Sequence, residues 1–158
     1  MSRPIPTDHA AQHGDPAHAN SAAAKPPRSP QEAIAALLKL EGCESTIDGD
    51  GDIRFDHQGI HFLLLFNQAD PEYVRVVLPN FFAVGSESER AVAYAAANAT
   101  NGSCKAVKVF IEHKQTHAAI ECFLAEREQI VPVLMRCIGA LEHAARSFSM
   151  GCALQRGQ

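Results

Sequence analysis

The chain has 158 residues, a formal charge of −4 and an apolar content near the globular average. That length predicts one domain with a tail, and the mild acidity excludes the basic stripe by which a nucleic-acid binder displaces counterions. The longest apolar run, FLLLF at 62–66, is far too short to cross a bilayer, and the N-terminus carries no apolar secretory core, so no membrane role is expected.

Residues 1–28, MSRPIPTDHAAQHGDPAHANSAAAKPPR, hold almost no apolar side chain larger than alanine. Such a segment buries too little surface to offset its ordering entropy, which predicts a disordered tail. Its histidines, His9, His13 and His18, read either as solvated residues or as a weak metal tract. A single α+β domain is expected over 29–150. A first helix opens at Ser29, with Pro30 in its first turn and Glu32 completing an S-x-x-E capping box. Ile34, Leu37, Leu38 and Leu40 supply its buried stripe, and Gly42 stops it.

The stretch IDGDGDIRF, Ile47 to Phe55, matches a calcium loop only in part. Asp48, Asp50 and Asp52 occupy ligand positions of the EF-hand template. Ile53 then falls where glycine must make the sharp turn, and Gly59 falls where a bidentate glutamate is needed. A turn feeding a strand is the better reading, because Asp and Gly tolerate turn dihedrals and bond their own backbone.

Three strands follow, at about Ile53–His57, Ile60–Phe66 and Tyr73–Val84. The second, IHFLLLF, is apolar on both faces and is expected inside the sheet. Pro79 marks a bulge or unpaired edge in the third. A helix from Ser86 to about Asn101 begins with a second capping box, Ser86 and Glu89, and is expected to lie flat on the sheet through Val92, Ala95, Ala96 and Ala99 until Gly102 ends it. The strands AVKVFIE and HAAIECFLA form a hairpin through HKQT. A last amphipathic helix begins between Glu126 and Val131 and carries Ile130, Leu134, Ile138, Leu141, Ala145 and Phe148 at helical spacing. Residues 151–158 are expected to fray. The order α-β-β-β-α-β-β-α predicts an α+β fold with an antiparallel five-stranded sheet packed with helices.

The sequence holds no nucleophile elbow, zincin motif, phosphate loop or dinucleotide fingerprint, so neither catalytic residues nor a cofactor are assigned. Five cysteines, Cys43, Cys104, Cys122, Cys137 and Cys152, include no C-x-x-C. Their odd number and irregular spacing fit a reducing compartment, which places the protein in the cytoplasm. Two H-x-x-x-H spacings, His57/His61 and His113/His117, straddle hairpin turns. Each reads as a pair of solvated turn residues or as half of a metal site that lacks its further ligands. Phe81 and Phe82, adjacent on a strand, are expected to point to opposite faces. One then enters the core. The other is either a protein-contact residue or is covered by the chain's own first or last helix.

The stretches DGDGDIRFDHQGIHFLLLF and ERAVAYAAANATNGSCKAVKVFIE, followed by a strand and a terminal helix, resemble the YbjN-like family, bacterial proteins described as sensory transduction regulators. AANATN before KAVKVFIE carries the nearest likeness, and its Asn98 and Asn101 read as helix-ending, backbone-capping residues. The resemblance implies a fold similar to type III secretion chaperones, which are homodimers holding extended client segments. It implies no catalytic residue. The chain is therefore expected to be a non-enzymatic, chaperone-like or regulatory binding protein and a homodimer that can hold an extended client segment, with Phe81 or Phe82 as the contact for a second copy or for a peptide. The alternative is a small metal-dependent protein or enzyme using the hairpin histidines.

Overall fold

The computed structural model describes residues 29–156. The tail expectation and its histidines lie outside the described residues. Helix α1 spans Pro30–Leu40, and Ser29 Oγ accepts from the Glu32 N–H at 3.2 Å. Ile34 and Leu38 are fully buried, whereas Leu40, expected in the stripe, is 86% exposed. Gly42, with φ of 76°, takes the left-handed conformation just after the helix.

Strands β1 (Ser45–Ile47), β2 (Ile53–His57), β3 (Ile60–Phe66) and β4 (Tyr73–Ala83) follow, then α2 (Glu87–Ser103), β5 (Lys108–Glu112) and β6 (Gln115–Phe123). A 3₁₀ helix, Arg127–Val133, leads into α3, Leu134–Arg156. The fold is α+β, as expected, but the sheet has six strands and not five, in the order β1-β2-β3-β4-β6-β5, every pair antiparallel. The extra strand, β1, pairs its three residues with Ile53–Phe55. Three residues are too few to display an alternation, so only the pairing reveals it.

The acidic stretch is the hairpin turn between β1 and β2. Asp48 Oδ1 accepts from the N–H groups of Asp50 and Asp52, both at 3.1 Å, and Asp48 Oδ2 meets Arg54 at 3.3 Å. Asp52 Oδ1 accepts from the Phe66 N–H at 2.8 Å, tying the turn to β3. These carboxylate lone pairs are thus spent on the backbone. The β2–β3 turn has positive φ at Gln58 and Gly59, the pairing that a tight two-residue hairpin requires.

One face of the sheet is packed by the helices. Ile53, Phe55, Phe62, Leu64, Val74, Val76, Leu78, Ala118 and Ile120 join Ile34, Leu38, Ile138, Leu141 and Phe148 in one core. Burying a large side chain of this kind contributes about 1.5–3 kcal/mol. Helix α2 packs on α3 and β5, not flat along the sheet centre. Its buried residues are Ala93, Ala96, Ala97 and Thr100, rotated from the expected face. An alanine-rich helix offers little contrast between its sides, so its partner decides the rotation. Gly151 of α3 allows that close approach, since a Cβ there would stand 3.4 Å from the Ala96 Cβ. Gly102 lies inside α2, which ends at Ser103. The final helix is also displaced from expectation. Ile130 and Pro132 belong to the 3₁₀ segment, because proline lacks the N–H an α-helix interior uses. Beyond Met150, where fraying was expected, α3 continues to Arg156 and buries Cys152.

Candidate contact surfaces

The β4 strand breaks its ladder near the middle. Its register against β6 shifts between Leu78 and Phe82, and Asn80 takes a φ of 51°. Pro79 supplies the cause, having no N–H to donate. The bulge overturns the expectation that Phe81 and Phe82 point to opposite faces. Both rings meet the buried Phe148 edge-on, with centroids 5.4 Å and 5.2 Å away. Four steps along β4, from Leu78 to Phe82, span two along β6, so two extra residues break the alternation and both neighbours turn toward α3. Both remain half-buried.

Phe81 also lines a groove of about 650 Å³ between the bulge, the β2–β3 turn and α3. Its apolar wall includes Ile60, Leu78, Pro79, Ala145 and Met150. Met150 is 66% exposed there. The β3–β4 ladder ends at Leu63 with Val77, so the two strands are no longer paired beside the groove. Glu142 and Arg146 form its charged rim, 3.8 Å apart.

The second surface is the face of the sheet turned away from the helices. Leu63, Leu65, Val77 and Ala119 form its apolar centre by register. Glu121 holds two cations there, Lys108 at 2.7 Å and Arg75 at 3.3 Å. The Lys108 hydrogen bond, assisted by both positive charges, pulls the Glu121 carboxyl below its ordinary value against the opposing effect of burial. Arg75 lies over the Phe110 ring at 5.2 Å, and Phe110 stacks on His117. Tyr73 and Phe123 pair across β4 and β6 at one end, and Phe123 is 72% exposed.

The structure does not bring the hairpin histidines together as pairs. His57 Nδ1 meets Glu142 Oε1 of α3 at 3.2 Å, whereas His61 pairs with Asp56. His113 sits in the β5–β6 turn with φ of 53°. His117 faces Phe110, and its Nδ1 accepts from the Asn80 N–H at 3.4 Å. Burial lowers the His117 pKa, Glu112 opposes that effect, and Arg75 adds to it. Among the described residues, no group of three or more His, Cys, Asp or Glu side chains is placed to hold a metal ion.

Asn101, read from the sequence as a helix-capping residue, has a different partner. Its side chain makes two hydrogen bonds to the backbone of Val109 on β5. Helix α2 is closed instead by the Cys104 N–H, which donates to the Thr100 carbonyl. Asn98 is exposed.

A helix-backed antiparallel sheet with an apolar groove defines a small α+β domain, and among the described residues no helix packs on the far face of the sheet. The chain belongs to the YbjN family, described as "Putative bacterial sensory transduction regulator", whose model matches residues 30–131. The fold is shared with a chain in the solved structure of the HopA1-SchA chaperone-effector complex. That likeness has a TM-score of 0.54 and 16% sequence identity, covering 73% of this chain and 89% of the other. No curated protein matches the chain. Among the described residues, no helix is long and apolar enough to cross a membrane.

Proposed function

We propose that the protein is a non-enzymatic, cytoplasmic binding protein with a chaperone-like or regulatory role. It acts as a homodimer and holds an extended segment of a client protein. The single observation that carries this reading is the groove where β4 bulges away from its neighbours. Phe81, Ile60 and Met150 offer apolar side chains there, beside strands whose pairing has ended. An extended segment uses both features, seating alternate side chains in a pocket and bonding its backbone to free strand groups. Phe82 meets the same buried Phe148 ring as Phe81 does. The shared fold with a chain of a chaperone-effector complex supports a client of this kind. The far face of the sheet, with Leu63 and Leu65 half-buried at its centre and Glu121 holding Lys108 and Arg75, supplies a mixed apolar and charged surface for the second copy, which suits an isologous contact.

A photo-crosslinking side chain at Met150, introduced in cells, tests the client site. A discrete cross-linked protein, identified by mass and lost when Phe81→Asp is added, is the expected result. A cross-link that survives Phe81→Asp, or none at Met150 while one forms at exposed Lys39, would remove the groove from the reading. Light scattering at micromolar concentration tests the dimer, which should weigh twice the 17.0 kDa chain.

A further inference from the structure

A separate cavity of about 580 Å³ opens between the end of α2, the loop into β5, strand β6 and α3. Lys105, Arg136 and His143 line it, and all three are exposed. Among the described residues, no aspartate or glutamate lines it. Among the described residues, none of these three side chains enters an ion pair. Among the described residues, Lys39, Lys114 and Arg127 likewise lie in no ion pair, but none of them lines this cavity. Arg54, Arg75, Arg90, Lys108 and Arg146 each lie against a carboxylate. In a chain of net charge −4, Lys105 and Arg136 place two cations without carboxylate partners at one concavity. Clefts lined by one sign of charge over low-dielectric walls concentrate ions of the other sign.

The inner wall is apolar. Ile120, Val133 and Ala140 contribute to it, together with Cys104 and Cys137. Burial pushes the Cys137 thiol up, as does the neighbouring Cys122, against the lowering influence of Arg136. Cys122 is raised by burial in the same way. The Cys137 thiol on the wall therefore stays neutral and behaves as a small hydrophobe that competes for none of the positive charge. Ala106, also on the wall, has a φ of 61°, a left-handed conformation that costs a non-glycine residue about 1–2 kcal/mol. Backbone strain of this kind persists where the surroundings hold it.

The geometry points to a binding site for a small amphiphilic anion, whose carboxylate or phosphate head meets Lys105, Arg136 and His143 and whose alkyl or aryl body lies on Ile120, Val133 and Ala140. The volume falls within the range of small-molecule pockets, roughly 300–1,000 Å³. This site is independent of the client groove and shares no lining residue with it.

Calorimetric titration of the full chain with monomeric decyl phosphate, and with decanoate, tests it. Saturable binding of one molecule per chain is expected. The double variant Lys105→Ala, Arg136→Ala should bind about tenfold or more weakly, as expected for loss of charged hydrogen-bond donors, while Lys39→Ala should bind unchanged. Decanol lacks the charge and inorganic phosphate lacks the body, so both should bind about tenfold or more weakly than decyl phosphate. Equal affinity in the double variant, equal affinity for decanol, or no binding at millimolar decyl phosphate and decanoate would overturn the assignment. Co-sedimentation with anionic phosphatidylglycerol vesicles without uptake of the monomeric probes would overturn it too, since the cations would then read a membrane surface.

Discussion

Asn101 and Val109 are joined by two hydrogen bonds. The Val109 N–H donates to Asn101 Oδ1 at 2.7 Å, and Asn101 Nδ2 donates to the Val109 carbonyl at 3.0 Å. Val109 lies on β5, an edge strand of the described sheet, paired with Ala118 of β6 on one side only. One primary amide therefore imitates a residue of a further strand. It ties the last turn of α2 to the sheet and blunts an edge that could pair with another chain.

Asn101→Ala leaves both Val109 groups without that partner. The expected loss is about 1–3 kcal/mol, the usual cost of removing one side of a partly buried hydrogen-bonded pair. Urea denaturation measures it. Asn98→Ala, at an exposed position of the same helix, should change stability little.

Phe148→Ala should be among the most damaging single changes. The ring is fully buried and supports both Phe81 and Phe82. Its removal should cost about 3–5 kcal/mol in chemical denaturation. Phe81→Ala should cost less, because Phe81 is half-buried and its groove side is already open. A larger loss for Phe81→Ala than for Phe148→Ala would contradict the packing described.

Thr116→Val should stabilise the protein. Thr116 is fully buried, and among the described residues its hydroxyl has no hydrogen-bond partner. Valine keeps the shape and removes the desolvated polar group. A gain of about 1 kcal/mol, read as a raised thermal midpoint, is the expected outcome.

Stability should fall in acid through two groups on the sheet face turned away from the helices. His117 has its pKa lowered in the folded state, mainly by burial, so its contribution is present above the unfolded value of about 6.5 and is lost as pH falls through the folded value. Protonating Nδ1 also removes the acceptor of the Asn80 N–H. Glu121, held down chiefly by the Lys108 hydrogen bond, contributes above its unfolded value of about 4.3 and loses that contribution as pH falls through its lower folded value. Denaturation midpoints measured from pH 7 to pH 3 should decline in both windows. His117→Gln should flatten the upper decline, and Lys108→Met should weaken the lower one.

Much of the architecture is legible in local pattern. Strands β2 and β3 have the limits that their alternation and apolar runs predict. Ser86 and Glu89 close the capping box that their spacing announces, because a helix start needs only three or four neighbouring residues to satisfy its free N–H groups. Pro79 foretells an interruption in β4. The geometry of Phe81 and Phe82 is not legible in the same way. Alternation places Phe81 and Phe82 on opposite faces, and the bulge that turns both toward Phe148 depends on how β6 meets β4.

Sequence by itself thus determined the helix starts, the hairpin strands, the proline break and the α+β class, all of them consequences of dihedral preference and apolar spacing within a few residues. Tertiary structure alone decided the sixth strand, the rotation of α2, the pairing of His57 with Glu142 eighty-five residues away, and the use of Asn101 as a strand mimic. Those features arise where chain-distant groups compete for one partner, and no local pattern records which contact wins.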